Sequence, residues 1–165
     1  MASYIDRSLG DGETIIARAR FHPLYVLAAW VALLLPCIVF GSAIALYLPH
    51  GDATGQAVAG ISALLLLIAF FAGLIRLAHI WTTEIGVTSH RFVEKYGLFS
   101  LRTNEIALPN IEGVRMNQSF LGRVFGYGTI RIEGTGVDAV TTPTIADPVG
   151  FVRAIQTAKE HVAGR

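Results

Sequence analysis

Five histidines, one cysteine and twelve carboxylates are the side chains of this 165-residue chain that could carry metal ligation, proton transfer or nucleophilic attack. Their spacing decides whether they do. His22, His50, His79, His90 and His161 are scattered, and none forms a metal-ligand pattern such as His-Glu-x-x-His. Ser89 and His90 are neighbours, but no strand-to-helix elbow is there to present the serine as a nucleophile. The aspartates and glutamates are isolated, so no carboxylate pair is set up for general acid–base work. Cys37 has no second cysteine to pair with and lies inside an apolar run, where a thiol acts as a small hydrophobe. The expectation is a protein that is not an enzyme and needs no cofactor or metal.

The densest local signal is the stretch Gln118 to Ile130. Ser119 is placed to cap a one-turn helix whose Phe120, Leu121, Val124 and Phe125 are expected to face the core. Gly126 and Gly128 flank Tyr127, which suits a tight re-entry into the next strand. A phosphate cradle would need a lysine-serine ending and a long following helix, and neither is present. Arg123 is the lone charge of the turn, either a partner contact or a stem packed over Phe125. Gln118, Ser119, Arg123, Gly126, Tyr127 and Gly128 are therefore the candidate interaction or structural-turn residues.

Two apolar runs must set where this turn sits. Leu24 to Leu48 departs from the apolar set only at Pro36, Gly41 and Ser42, and Ala57 to Ile75 only at Gly60, Ser62 and Gly73. About 20 apolar residues span a hydrocarbon core of about 30 Å as a helix, so residues 24–48 and 57–80 are expected to be transmembrane helices. The link 49–56 is short enough to force an antiparallel hairpin. All thirteen basic residues lie outside Phe21 to Ile75, and the link carries only Asp52, so both termini are expected in the cytoplasm of an inner-membrane, multi-pass protein, with 49–56 as an external turn. No ionisable residue lies within either run, which argues against a pump or transporter acting alone. Pro36 predicts a kink, and Gly41/Ala45 and Ala69/Gly73 are small-residue pairs suited to close helix packing.

Residues 81–165 are expected to form a cytoplasmic β domain. Glu84–Val87 and Arg91–Tyr96 read as a hairpin across Thr88-Ser89-His90, followed by strands at 101–108, 111–118 and 128–135, then a weaker, interrupted one at 137–145. Asp147 and Pro148 announce a closing helix over 148–163, with Phe151, Val152, Ile155, Ala158 and Val162 as its apolar stripe. The weak strand around Thr141-Thr142-Pro143-Thr144 is a candidate edge, since proline cannot donate a ladder bond. Residues 1–23 form an N-terminal cytoplasmic segment, which alternates around Glu13–Arg18 and is expected to lend a strand or short helix to the domain. The composition, 53% hydrophobic and 15% charged, excludes a disordered chain, and a net charge of +1 gives no footprint for nucleic acid.

The two spans, then Thr83-Glu84 leading to Val87-Thr88, Tyr96-Gly97, Ile111-Glu112-x-Val114, Gln118–Ile130, Gly134-Thr135-Gly136 and Ile145-Ala146-Asp147-Pro148-x-x-Phe151, resemble the bacterial pleckstrin-homology-like family of membrane-flanked domains, the YdbS-type small membrane proteins. The resemblance implies a membrane α-helical hairpin carrying a mainly-β barrel of about seven strands closed by a C-terminal helix, with no known catalysis. From Thr82 onward nine basic and eight acidic residues are interspersed, with no two basic residues adjacent, so a specific lipid-headgroup pocket is not expected from charge. The expected function is a membrane-tethered module for protein interaction or self-association, the alternative being binding of a lipid headgroup or the membrane surface by the β domain.

Overall fold

The structure, a computed structural model, describes residues 3–97 and 100–164. The chain divides into two compact units, one made of residues 1–23 with 82–165 and the other of residues 24–81. The first unit is therefore discontinuous in sequence, and the helical hairpin is inserted into it.

The N-terminal segment supplies both of the elements anticipated for it, a short helix α1 (Tyr4–Arg7) and a strand β1 (Ile15–Ala19). In β1, Ile15, Ala17 and Ala19 turn inward while Ile16 and Arg18 face solvent, the period-2 pattern of a half-buried strand. β1 pairs antiparallel with β2 (Glu84–Thr88), and Ala19 lies opposite Ile85 although the whole hairpin separates them in sequence. β3 (Arg91–Tyr96) and β4 (Arg102–Ala107) complete a four-stranded sheet in the order β1-β2-β3-β4.

The second sheet has β5 (Ile111–Asn117), β6 (Tyr127–Gly134) and β7 (Val137–Thr141), with the short β8 (Ile145–Ala146) paired to the start of β6. A bridge between Phe21 and Ile145, and the bond from Ala146 N–H to the Arg20 carbonyl (2.8 Å), stitch the continuation of β1 to β8. The expected barrel is not closed. β4 ends in a 3-10 turn, Leu108-Pro109-Asn110, whose proline cannot donate a ladder bond, and β5 starts the other sheet. The C-terminal helix, α5 (Pro148–Ala163), packs on this turn and on β1, β5 and β6. Asp147 caps it, accepting from the Gly150 N–H at 3.0 Å. Phe151, Ile155 and Ala158 of α5 join Ile85, Val87, Phe92, Ile106, Leu108, Ile130 and Ile132 in one core.

Thr141 closes β7, a strand at the end of its sheet, as the candidate edge suggested, while Thr142 and Thr144 are tied inward. The Thr142 N–H donates to the Ile130 carbonyl (2.8 Å), its hydroxyl accepts from the Ile130 N–H (3.0 Å), and the Thr144 carbonyl accepts from His22 N–H (3.4 Å). The strand is interrupted because a side chain takes over the ladder, and the strands at the sheet ends are β1 and β4 in the first sheet and β5 and β7 in the second.

The second unit is a pair of helices, α2 (Pro23–Tyr47) and α3 (Ala53–Thr82). α3 starts earlier than the apolar run because Asp52 caps it, its carboxylate accepting from Gly55 N–H at 2.9 Å. Both helices are long and apolar enough to cross a membrane, and only 11% and 17% of their most apolar windows are buried. The residues α3 buries include small ones, Gly55, Ala59, Ser62 and Gly73, while Leu, Ile and Phe side chains face outward. That is the reverse of a soluble helix pair. Gly73 lies against Leu33 so closely that a Cβ would come within 2.9 Å of the Leu33 Cα, whereas the space around Gly41 is open.

Candidate functional site

The six candidate residues are brought together around one short helix, α4 (Phe120–Phe125), between β5 and β6. Ser119 is its cap, as its position in the sequence suggested: the hydroxyl accepts from the Gly122 N–H at 3.1 Å. Gly126 ends it at φ +72°, a left-handed conformation that favours glycine, and its N–H returns to the Gly122 carbonyl. The Gln118 amide straps the turn by donating to the Tyr127 carbonyl (3.1 Å) and the Gly122 carbonyl (3.4 Å). Gly128 is buried beside Asn117 and Gln118, and Tyr127 sets its ring 5.1 Å from that of His22. Arg123 is exposed in the last turn and forms no ion pair among the described residues.

One expectation for this element is overturned. Phe120, Leu121, Val124 and Phe125 do not face the core: they are 80%, 56%, 62% and 54% exposed. The cause is Gly122, the residue of α4 that is buried. A Cβ there would stand 2.6 Å from the Tyr127 carbonyl oxygen, so the helix can approach the sheet this closely only on its glycine face. The apolar side chains are thereby turned outward. His22, the residue before α2, holds the far end of α4, its Nε2 bonded to the Phe125 carbonyl at 3.1 Å. Nothing in the sequence foretold that contact.

Two other constellations depend on the N-terminal segment. Glu13, whose side chain is only 6% exposed, accepts from the Gly10 N–H (2.8 Å), the Thr88 hydroxyl (2.5 Å) and both Nε (3.1 Å) and Nη2 (3.0 Å) of Arg91. Burial pushes its carboxyl up, but the Gly10 N–H, the Thr88 hydroxyl and the Arg91 charge outweigh that and hold it below the ordinary range. Glu84 behaves alike. Burial raises it, while the Ser3 hydroxyl, the N–H groups of Tyr4 and Ile5, and the Lys95 charge bring it down. These carboxylates clasp the segment before the hairpin to the strands after it.

An open groove of about 470 Å³ lies between β1, the β2–β3 turn and α5, with Ile16, Ala158 and Val162 as apolar lining and His90 and His161 among its polar groups. The Ser89 hydroxyl contacts His90 Nδ1 (2.9 Å) and accepts from the Thr14 N–H (3.1 Å), and His161 Nδ1 donates to the Thr157 carbonyl (2.8 Å). These are contacts that fix a turn and a helix end, and among the described residues no carboxylate orients either imidazole as a general base would require. Among the described residues no group of three or more His, Cys, Asp or Glu is arranged to hold a metal ion. The groove, the end strands and the exposed α4 are accessible surfaces of this unit.

No curated protein and no solved structure matches the chain. The family model for the bacterial PH domain matches residues 23–154, which takes in the helical hairpin, every strand from β2 to β8 and the first half of α5. With most of its length covered, the chain belongs to the bacterial PH domain family.

Proposed function

We propose that this protein is a non-enzymatic, membrane-tethered PH-like module that binds a protein partner, or further copies of itself, at the cytoplasmic face of the inner membrane. The observation that carries the reading is the insertion of the α2–α3 hairpin between the paired strands β1 and β2. Pairing of Ala19 with Ile85 requires both ends of the inserted segment to emerge on one side of any membrane it crosses. The basic residues flanking the segment support the cytoplasm as that side. Surfaces that suit binding are at hand: β4 and β7 are paired on one edge only, which suits strand addition by a partner chain, and the groove beside α5 has Ile16, Ala158 and Val162 in its lining.

The test is crosslinking of the tagged full-length protein in native membranes, combined with reporter fusions at both termini. Cytoplasmic signals from both fusions and one dominant protein adduct, heterologous or self, are the expected results. A periplasmic signal at either terminus overturns the topology, and the absence of any specific adduct overturns the interaction reading. A second reading, membrane-surface binding by the β domain, is favoured by a specific observation, the outward apolar face of α4.

A further inference from the structure

We infer that α4 dips its apolar side chains into the interfacial layer of the same bilayer that the hairpin crosses, docking the β domain on the membrane surface at a fixed point. The inference rests on the reading that α2 and α3 span the membrane. Phe120, Leu121, Val124 and Phe125 occupy four of the six positions of α4, and all four are exposed. The other exposed large apolar side chains of the unit, Ile16, Leu101, Met116 and Val149, are not gathered on one short element as these four are, and such a cluster marks a contact surface.

The chain itself indicates which one. The Phe125 carbonyl is bonded to the His22 ring, and two peptide units, about 7 Å of backbone, separate His22 from Leu24, where the apolar run begins. Whatever the angle between the two units, covalent connectivity keeps the end of α4 beside the point where α2 meets the membrane interface. A second copy must be encountered by diffusion; the lipid is tethered at hand. Charge agrees. Between Asn117 and Ile130 there is no acidic residue, and the one cation, Arg123, is exposed at α4, where it can meet lipid phosphates. Two aromatic and two aliphatic side chains with one arginine make the composition of an interfacial segment, which buries its apolar face about 5–10 Å into the headgroup and acyl boundary.

The experiment uses the full-length chain with Cys37→Ala, carrying one cysteine at a time and labelled with an environment-sensitive nitrobenzoxadiazole dye. Phe120→Cys and Val124→Cys report on α4, Gln156→Cys on exposed α5, and Leu35→Cys on the hydrocarbon face of α2. Because these four side chains already face outward, the variants retain the fold, which circular dichroism checks. Each protein is reconstituted in phosphatidylcholine–phosphatidylglycerol vesicles containing lipids spin-labelled near the top or near the end of the acyl chain. The expected result is a blue shift at 120 and 124 relative to 156, with stronger quenching by the shallow label, while 35 is quenched more by the deep one. If 35 is quenched but 120 and 124 match 156, the docking of α4 is refuted and the spanning reading survives. If 35 is unquenched as well, the spanning reading itself fails and the inference with it. A blue shift at 120 and 124 without lipid quenching means that protein covers α4, and this too overturns the inference.

Discussion

Replacing Glu13 by Gln tests whether the segment before the hairpin is an integral part of the β domain. The carboxylate takes bonds from Gly10, Thr88 and two nitrogens of Arg91, and it is almost fully enclosed. A hydrogen bond to a charged group contributes about 1.5–3 kcal/mol. Arg91 is 27% exposed and keeps Glu105 at 2.8 Å and the Ser8 carbonyl, so much of its charge stays compensated after the substitution. The amide retains one acceptor oxygen but turns a donor toward Gly10 or Arg91. The net loss is set at about 2 kcal/mol, below the cost of breaking a fully buried pair. For a module of about a hundred residues this lowers the melting temperature by about 10 °C. The assay is thermal unfolding of the full-length protein in detergent, followed by the loss of sheet signal in circular dichroism.

The same variant carries a pH signature. Glu13 is held below its ordinary value of 4.5 in the folded state, so the unfolded chain binds its proton more readily. The stabilisation is therefore complete above the unfolded value and is lost as pH falls through the folded one. Wild type and Glu13→Gln should differ at neutral pH and converge in acid. The reasoning is refuted if the two melt together at neutral pH, or if the gap between them is undiminished well below 4.5.

Three further substitutions probe the other elements. Gly73→Ala would set a Cβ 2.9 Å from the Leu33 Cα, so the helices must separate. The loss is about 1–3 kcal/mol, read as a lower fraction of sodium dodecyl sulfate needed to unfold the hairpin. Gly126→Ala meets no atom within 4 Å, so its cost is that of the left-handed backbone alone, about 1 kcal/mol in a thermal melt. Lys159→Met keeps the stem on α5 but removes the 2.6 Å bond to the Ile111 carbonyl; a loss of about 1.5 kcal/mol is expected in the same melt.

Much of the β domain was legible because short-range patterns carry it. Ile130 and Ile132 alternate with Thr129, Arg131 and Glu133, and β6 buries the first pair as that period requires. Asp147 and Pro148 start α5 where a capping residue followed by proline should. What local pattern could not reveal was pairing across the insertion, since nothing near Ala19 names Ile85 as its neighbour. Nor could it orient α4. An apolar cluster reads as core by default, and here the deciding residue was Gly122, whose missing side chain sets which face meets the sheet. Of the candidate turn residues, Gln118, Ser119 and Gly126 proved to be the fastenings of that helix, while Arg123 stands on its outer surface.

The split between β1 and β2 also bears on biogenesis. During synthesis the ribosome delivers β1 first, then the two apolar helices, and only then the strand that β1 must join. The N-terminal segment has to wait, unpaired, until the hairpin has been inserted. With an odd number of crossings β1 and β2 would lie in different compartments and the first sheet would lack its end strand, along with the clasps of Glu13 and Glu84. In the spanning reading, completion of the β domain thus acts as a proofreading step on the number of crossings: a chain threaded an odd number of times cannot join β1 to β2 and remains open to quality-control proteases.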